Sequence, residues 1–128
     1  PLLFPGEVRT GELYLDGNIL CTPDESGVKE RRRLSFGGHI VVSLVVDGRG
    51  GLVSGPDFSI EGLPDVEDDE ESIDRIVRSA VNGALKSIPP KRRADPELVD
   101  TALQRAIRGE VNAWWGKKPN VTVFVHRV

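Results

Sequence analysis

The segment that most constrains this chain is His39–Val46, in which five of the eight residues are β-branched. Such side chains fit a half-buried pleated strand and lose rotamer freedom in a helix. Because side chains alternate along a strand, one face is wholly apolar and consists of Ile40, Val42, Leu44 and Val46. That face must be covered by other elements, so we predict a central strand within residues 34–47.

A second strand follows the glycine-rich reversal after Asp47. It passes through Leu52 and Val53 and resumes at Phe58–Ile60. The intervening Ser54-Gly55-Pro56 favours a bulge or an edge strand, because proline cannot donate to a strand ladder. The last strand is predicted from the alternation between Val121 and Val128.

Two helices are predicted between these strands. Apolar residues recur at helical spacing from Ile73 to Ile88, and Pro89-Pro90 ends the pattern. A second helix begins with Asp95 as N-cap and Pro96 at its first position, and Gly116 ends it. Its predicted buried stripe consists of Leu98, Ala102, Leu103, Ala106 and Ile107, running on to Ala113 and Trp114. Adjacent helical residues do not share a face, so one of Trp114 and Trp115 is expected to point away from the core.

The predicted fold is therefore a two-layer α/β (α+β) sandwich in the order β-β-α-α-β. A small three-stranded sheet is covered on one face by two helices. Residues 34–128 form this domain. Residues 1–33 are interpreted as a linker or the end of another domain, with a short hairpin turning at Asp16-Gly17. The chain has no methionine and begins with Pro1, so we interpret it as part of a longer polypeptide.

Composition excludes several classes of protein. The formal net charge of −3 gives no global case for nucleic-acid binding. The lone Cys21 cannot form an internal disulfide and indicates a reducing, cytoplasmic compartment. No apolar run approaches membrane-spanning length.

No catalytic centre is evident in the sequence. Ser35 and Ser43 lack a His-Asp constellation, Cys21 lacks a nearby base, and no phosphate-binding glycine loop is present. His39 and His126 would form a metal pair only if their strands were neighbours, and they lack further ligands. Six carboxylates occur in the seven positions from Asp65 to Glu71. A helix N-terminus explains them better than a metal does. We therefore predict no catalytic residue, metal or cofactor in this chain.

Basic residues occur in short clusters that could contact phosphate groups or merely solvate loops. The candidates for RNA contact are Lys91, Arg92, Arg93, Lys117 and Lys118.

Four segments together resemble the C-terminal domain of ribonuclease J, a metallo-β-lactamase/β-CASP ribonuclease. Gly11–Gly17 is similar to the family's Tyr-Val-Asp-Gly segment, and Arg31–Gly38 to the entry into its C-terminal domain. Val53–Asp57, with Gly62, resembles its Ser-Gly-Pro strand. Gly116–Pro119 and the closing strand resemble its Arg/Lys-Lys-Pro ending. The glycine-rich segment common in the family is missing at Asn18–Gly27.

The resemblance implies a parent enzyme that degrades and processes RNA by 5′-to-3′ exonucleolytic and endonucleolytic cleavage. It also implies two divalent metal ions, zinc being expected, held by a His-x-His-x-Asp-His motif in the catalytic domain. That motif is absent here. The family's C-terminal domain is implicated in oligomerisation and full activity, which gives a non-catalytic assembly role as the first hypothesis. An autonomous RNA-binding module is the alternative.

The uncovered sheet face is the predicted interface of a homo-oligomer, expected to be a dimer. From the central strand it would present Val41, Ser43 and Val45. If the last strand contributes its valines, the same face would carry Val121, Val123 and Val125. The parent's own catalytic core could instead cover this face.

Overall fold

The fold is described from a computed structural model, which describes residues 13–66 and 72–128. By its internal contacts the chain divides into two units, Pro1–Arg33 and Leu34–Val128. That the first unit is the end of a catalytic core stays a prediction.

The first unit contains an antiparallel hairpin of β1 (Tyr14–Asp16) and β2 (Ile19–Cys21). Gly17 turns the chain with φ of 60°. Arg31 Nη1 donates to Asp16 Oδ1 at 3.0 Å, and Arg31 Nη2 contacts the second carboxylate oxygen. This hydrogen-bonded ion pair lowers the pKa of the Asp16 carboxyl. The predicted hairpin is present, but its two-residue turn is Gly17-Asn18 rather than Asp16-Gly17, because Asp16 pairs with Ile19.

A helix absent from the sequence-based prediction, α1, spans Val28–Gly37. The central strand itself is confirmed, since it begins at His39 directly after Gly37 and Gly38, but the helical state of residues 34–37 was not predicted. The helix escaped detection because its first half is the charged run Lys29–Arg33. Its apolar residues, Val28, Leu34 and Phe36, do not recur at helical spacing.

The second unit is built on a three-stranded sheet of order β4–β3–β5. Its strands are β3 (His39–Val46), β4 (Leu52–Glu61) and β5 (Asn120–Arg127). β4 pairs antiparallel with β3 and lies at an edge, with register shifts between Ser43 and Val46, as the Ser54-Gly55-Pro56 break predicted. β5 pairs parallel to β3, which decides a direction that the sequence left open.

Three helices follow β4: α2 (Ile73–Ser87), the short α3 (Pro90–Arg93) and α4 (Pro96–Trp115). Ser72 Oγ caps α2 by accepting from the Arg75 amide at 3.3 Å. Asp95 Oδ1 caps α4 by accepting from the Glu97 amide at 3.1 Å, and Gly116 ends that helix with φ of 80°. Most of the acidic run predicted to precede α2, residues 67–71, lies outside the described residues.

The core lies between one sheet face and the two long helices. Ile40, Val42, Leu44 and Val46 are essentially inaccessible to solvent, as predicted. The predicted stripe of α4 is confirmed in part: Leu103 and Ile107 are fully buried, and Leu98, Ala102 and Ala106 are partly buried against the core. The fully buried stripe of the helix is rotated slightly from it. Its inaccessible residues are Val99, Leu103, Ile107 and Val111, whereas Ala113 is exposed. Trp114 and Trp115 are both half-buried against the core, so the expectation that one points away was wrong. The predicted two-layer sandwich itself is confirmed.

The turn between β3 and β4 is held by one carboxylate. Asp47 Oδ1 accepts hydrogen bonds from the Arg49 and Gly51 amides, each at 2.8 Å. These amides lower the pKa of the Asp47 carboxyl, the Gly51 contribution being the largest. The same turn approaches α3, because a Cβ built on Gly50 would lie 1.8 Å from the Pro90 carbonyl oxygen.

Candidate functional site

One face of the β4–β3–β5 sheet has neither of the long helices packed on it. We call it the open face. Val41, Ser43 and Val45 from β3 lie on it, each half-buried among its neighbours. Directly paired residues share a face, so the register adds the following side chains: Thr122, Phe124 and His126 from β5, and Ser54, Asp57 and Ser59 from β4. The open face therefore has an apolar centre, with Phe124 51% exposed, inside a polar rim.

The placement of Val121, Val123 and Val125 on the open face was wrong. These valines pair with Ile40, Val42 and Leu44 and so lie on the helix-covered side. Val121 and Val123 are buried in the core, and Val125 is half-buried against it. The parallel register fixes this assignment, because a shift of one residue would have reversed it.

The two histidines both lie on the open face, yet they are far apart. His39 pairs with Asn120, six positions before His126 on the same strand. At the rise of a strand this is about 20 Å, too far for a shared ion. His39 Nε2 instead lies 2.9 Å from Thr122 Oγ1, a hydrogen bond across β3 and β5.

The first predicted basic cluster lies on α3. Lys91 and Arg92 are exposed, whereas Arg93 is half-buried. Arg93 Nε is buried and finds no hydrogen-bond partner among the described residues. Its Cβ lies close to the Gly50 turn, so Arg93 serves packing as well as charge.

The second predicted cluster lies just beyond the far end of α4. The Lys117 ammonium lies over two aromatic rings, 4.3 Å from the Phe36 centroid and 4.9 Å from the Trp115 centroid. Lys118 is exposed. The 20 residues of α4 separate the two clusters by about 30 Å at 1.5 Å per residue. The structure therefore does not unite the five predicted cations into one site.

A groove that the sequence analysis missed runs along the outer face of α4. We call it the α4 groove. Its volume is about 510 Å³, and it is lined by Thr101, Gln104, Arg105, Arg108, Gly109, Asn112 and Lys118. The α4 residues recur at i, i+3, i+4, i+7, i+8 and i+11, which is one helical stripe. The helical spacing of Arg105 and Arg108 is visible in the sequence. These cations are not contiguous, however, so they do not form a basic run.

No site for a hydrolytic metal is evident where the structure describes the chain. Residues 13–66 and 72–128 contain no group of three or more His, Cys, Asp or Glu side chains placed to hold an ion. The two divalent ions implied for the parent enzyme thus have no fitting ligand set among them. Nor is any described helix both long and apolar enough to cross a bilayer.

These features define a class: a small α/β domain with one open sheet face and a cationic helix face. Residues 26–128 match the family model of the ribonuclease J C-terminal domain. Over 122 residues the chain is 42% identical to ribonuclease J of Sinorhizobium meliloti. The match covers 95% of this chain and 22% of that protein, so the chain spans only a minor part of its relative. The chain belongs to the ribonuclease J C-terminal domain family, as its four motifs predicted.

Proposed function

We propose that this chain is the non-catalytic assembly domain of a ribonuclease J. It supports oligomerisation and full activity of a parent enzyme that degrades and processes RNA, as a 5′-to-3′ exonuclease and an endonuclease. The relative's name supports the RNA substrate, and the lone Cys21 supports a cytoplasmic location. Any hydrolytic metal belongs to the parent's catalytic domain in this proposal.

The observation that carries the assembly role is the apolar centre of the open face. Val41, Val45 and Phe124 lie on adjacent strands, and both long helices occupy the opposite side of the sheet. Val41 and Val45 are half-buried and Phe124 is 51% exposed, so these apolar side chains are accessible to a partner. A second copy of the chain would bury it through a two-fold contact, in which the same patch serves both subunits.

Sedimentation velocity over a concentration series tests this interface. We expect the unmodified chain to dimerise and Val41→Asp to sediment as a monomer, because a buried carboxylate without a partner opposes association. Val66→Asp is the control, because it makes the same change at an apolar residue that is 52% exposed and lies outside the sheet.

Circular dichroism should show that Val41→Asp keeps its helical content. A second variant, Phe124→Ser, should weaken dimerisation too, since it removes the most exposed apolar side chain of the open face. If the unmodified chain stays monomeric at high concentration, or both control and test variants dissociate alike, the homo-oligomer through the open face is wrong. The parent's catalytic core would then be the better occupant.

A further inference from the structure

The α4 groove gathers three cations on one side of the second unit. Arg105 and Arg108 are exposed, one helical turn apart on α4, and exposed Lys118 completes the lining. Their concentration contrasts with the chain's formal net charge of −3. An overall acidic chain thus presents a locally positive surface, which is the arrangement that attracts a polyanion.

Neither Arg105 nor Arg108 has an acidic partner on α4 that would stabilise it in the groove. Helical neighbours lie three and four positions away, and none of those positions carries an acid for either arginine. Neither side chain forms an ion pair with any described residue. The helix dipole acts within the last turn, and both arginines precede that turn. Arg105 and Arg108 repel each other, so a bound anion would relieve them.

A ligand can approach the backbone of α4 closely at Gly109. Gly109 lies between the arginines and Asn112, and a Cβ built on it would meet nothing within 4 Å. Packing therefore does not require glycine at this exposed helical position, where alanine would favour the helix more. The missing side chain leaves room for a ligand backbone beside Arg105 and Arg108.

Two aromatic rings, Phe36 and Trp115, contact Lys117, the residue next to the groove-lining Lys118. We call them the aromatic platform. Trp115 follows Asn112 by one helical turn, on the same face of α4. The Lys117 ammonium lies over its ring and also over that of Phe36. Phe36 is 64% exposed, which leaves ring surface available for stacking.

We propose that the α4 groove binds the phosphate backbone of single-stranded RNA, with a base stacked at the Phe36–Trp115 platform. Cations that follow a backbone and aromatic rings that stack on bases are the two elements of single-strand recognition. An acidic peptide could bind the cations of the α4 groove, but it has no bases to stack on Phe36 and Trp115. The choice of RNA rests on the proposed function, in which the parent enzyme acts on RNA.

Fluorescence anisotropy with a labelled oligouridine, measured over a series of salt concentrations, tests the site on the whole chain. The double variant Arg105→Gln/Arg108→Gln should weaken binding at least about tenfold, since it removes two charge-assisted hydrogen bonds to phosphate. Its plot of log affinity against log salt should flatten by about 1.4, or about 0.7 for each lost phosphate contact.

The matched control is Lys91→Gln/Arg92→Gln, which removes the same charge from exposed residues at the other end of α4. It should weaken binding by much less than the groove variant. Equal losses would show a general charge effect and overturn the site, as would failure of the unmodified chain to bind the oligouridine.

Two competitors decide the chemistry of the ligand. Duplex RNA of equal length should compete less well than oligouridine, because its bases cannot stack on Phe36 and Trp115. Equal competition by the duplex contradicts single-strand binding, and equal competition by polyglutamate contradicts RNA altogether. The sedimentation coefficients of the groove variant and of its Lys91→Gln/Arg92→Gln control should equal that of the unmodified chain. Failure of RNA binding at the α4 groove can therefore be distinguished from failure of the open-face dimer.

Discussion

Asp47 shows how a single side chain shapes the turn between β3 and β4. Its carboxylate accepts from two backbone amides of the turn, and these hydrogen bonds favour the ionised form. The pKa of the Asp47 carboxyl is therefore lower in the folded chain than its ordinary value. Protonation then favours the unfolded state, so the turn's contribution is complete above the ordinary aspartate pKa. It declines as the pH falls through the folded-state value.

We expect this contribution to appear in a comparison with Asp47→Asn, which keeps an acceptor oxygen but does not titrate. The unmodified chain should be the more stable of the two at about pH 6, and its advantage should shrink towards about pH 3. Urea midpoints followed by circular dichroism measure the difference. An advantage that is constant or grows on acidification would show that Asp47 does not act through its charge.

At the scale of elements, the β3–β4 turn and α3 are fitted to each other through Gly50. This residue has φ of 82°, and an added Cβ would collide with the Pro90 carbonyl oxygen. The turn therefore lies directly against the first residue of the four-residue helix α3.

Gly50→Ala should therefore destabilise the chain by at least about 2 kcal/mol, since left-handed backbone strain adds to the collision. Gly48→Ala in the same turn is the control. Its nearest new contact, to Arg127 Nη2, is an ordinary 3.4 Å. We expect it to cost less than about 1 kcal/mol. Similar urea midpoints for the two variants would contradict the close fit.

The elements that the sequence predicted are those with a strong internal period. β3 and α2 both carry an apolar pattern that only one secondary structure explains. For α4, neighbouring stripes, one through Leu98 and Ala102 and one through Val99 and Val111, both fit helical spacing. Only the packing against the sheet selects the second. The sequence also left open which side chains of β5 face the core. That choice depends on the register with β3, in which His39 pairs with Asn120, 81 positions later.

The surfaces were predicted less well than the core. Val41, Ser43 and Val45 follow from strand alternation alone, but their β5 neighbours require the register. The basic runs Lys91–Arg93 and Lys117–Lys118 are obvious in the sequence, yet α4 holds them apart. The α4 groove instead combines residues scattered between Thr101 and Lys118.

For the whole molecule, the described residues hold no group of three or more His, Cys, Asp or Glu side chains placed to bind a metal ion. His39 and His126 stand about 20 Å apart along their strands, and no third ligand is placed beside either among the described residues. We expect the chain alone not to cleave RNA when Mg²⁺, Mn²⁺ or Zn²⁺ is added. A labelled transcript followed by gel electrophoresis measures this. Metal-dependent cleavage that disappears in His39→Ala/His126→Ala would contradict it.

The parallel pairing of β5 with β3 also has a consequence for the timing of folding. Asn120 Nδ2 donates to the Gly38 carbonyl oxygen across 82 residues of chain, whereas β4 reaches β3 through a short turn. Closing so long a loop costs conformational entropy before the β3–β5 contacts can compensate for it. The β3–β4 hairpin and the α2–α4 helix pair should therefore form before β5 joins the sheet. Changes in β5 would then accelerate unfolding more than they slow folding. The strand that completes the sheet thus governs how long the folded domain lasts rather than how quickly it forms.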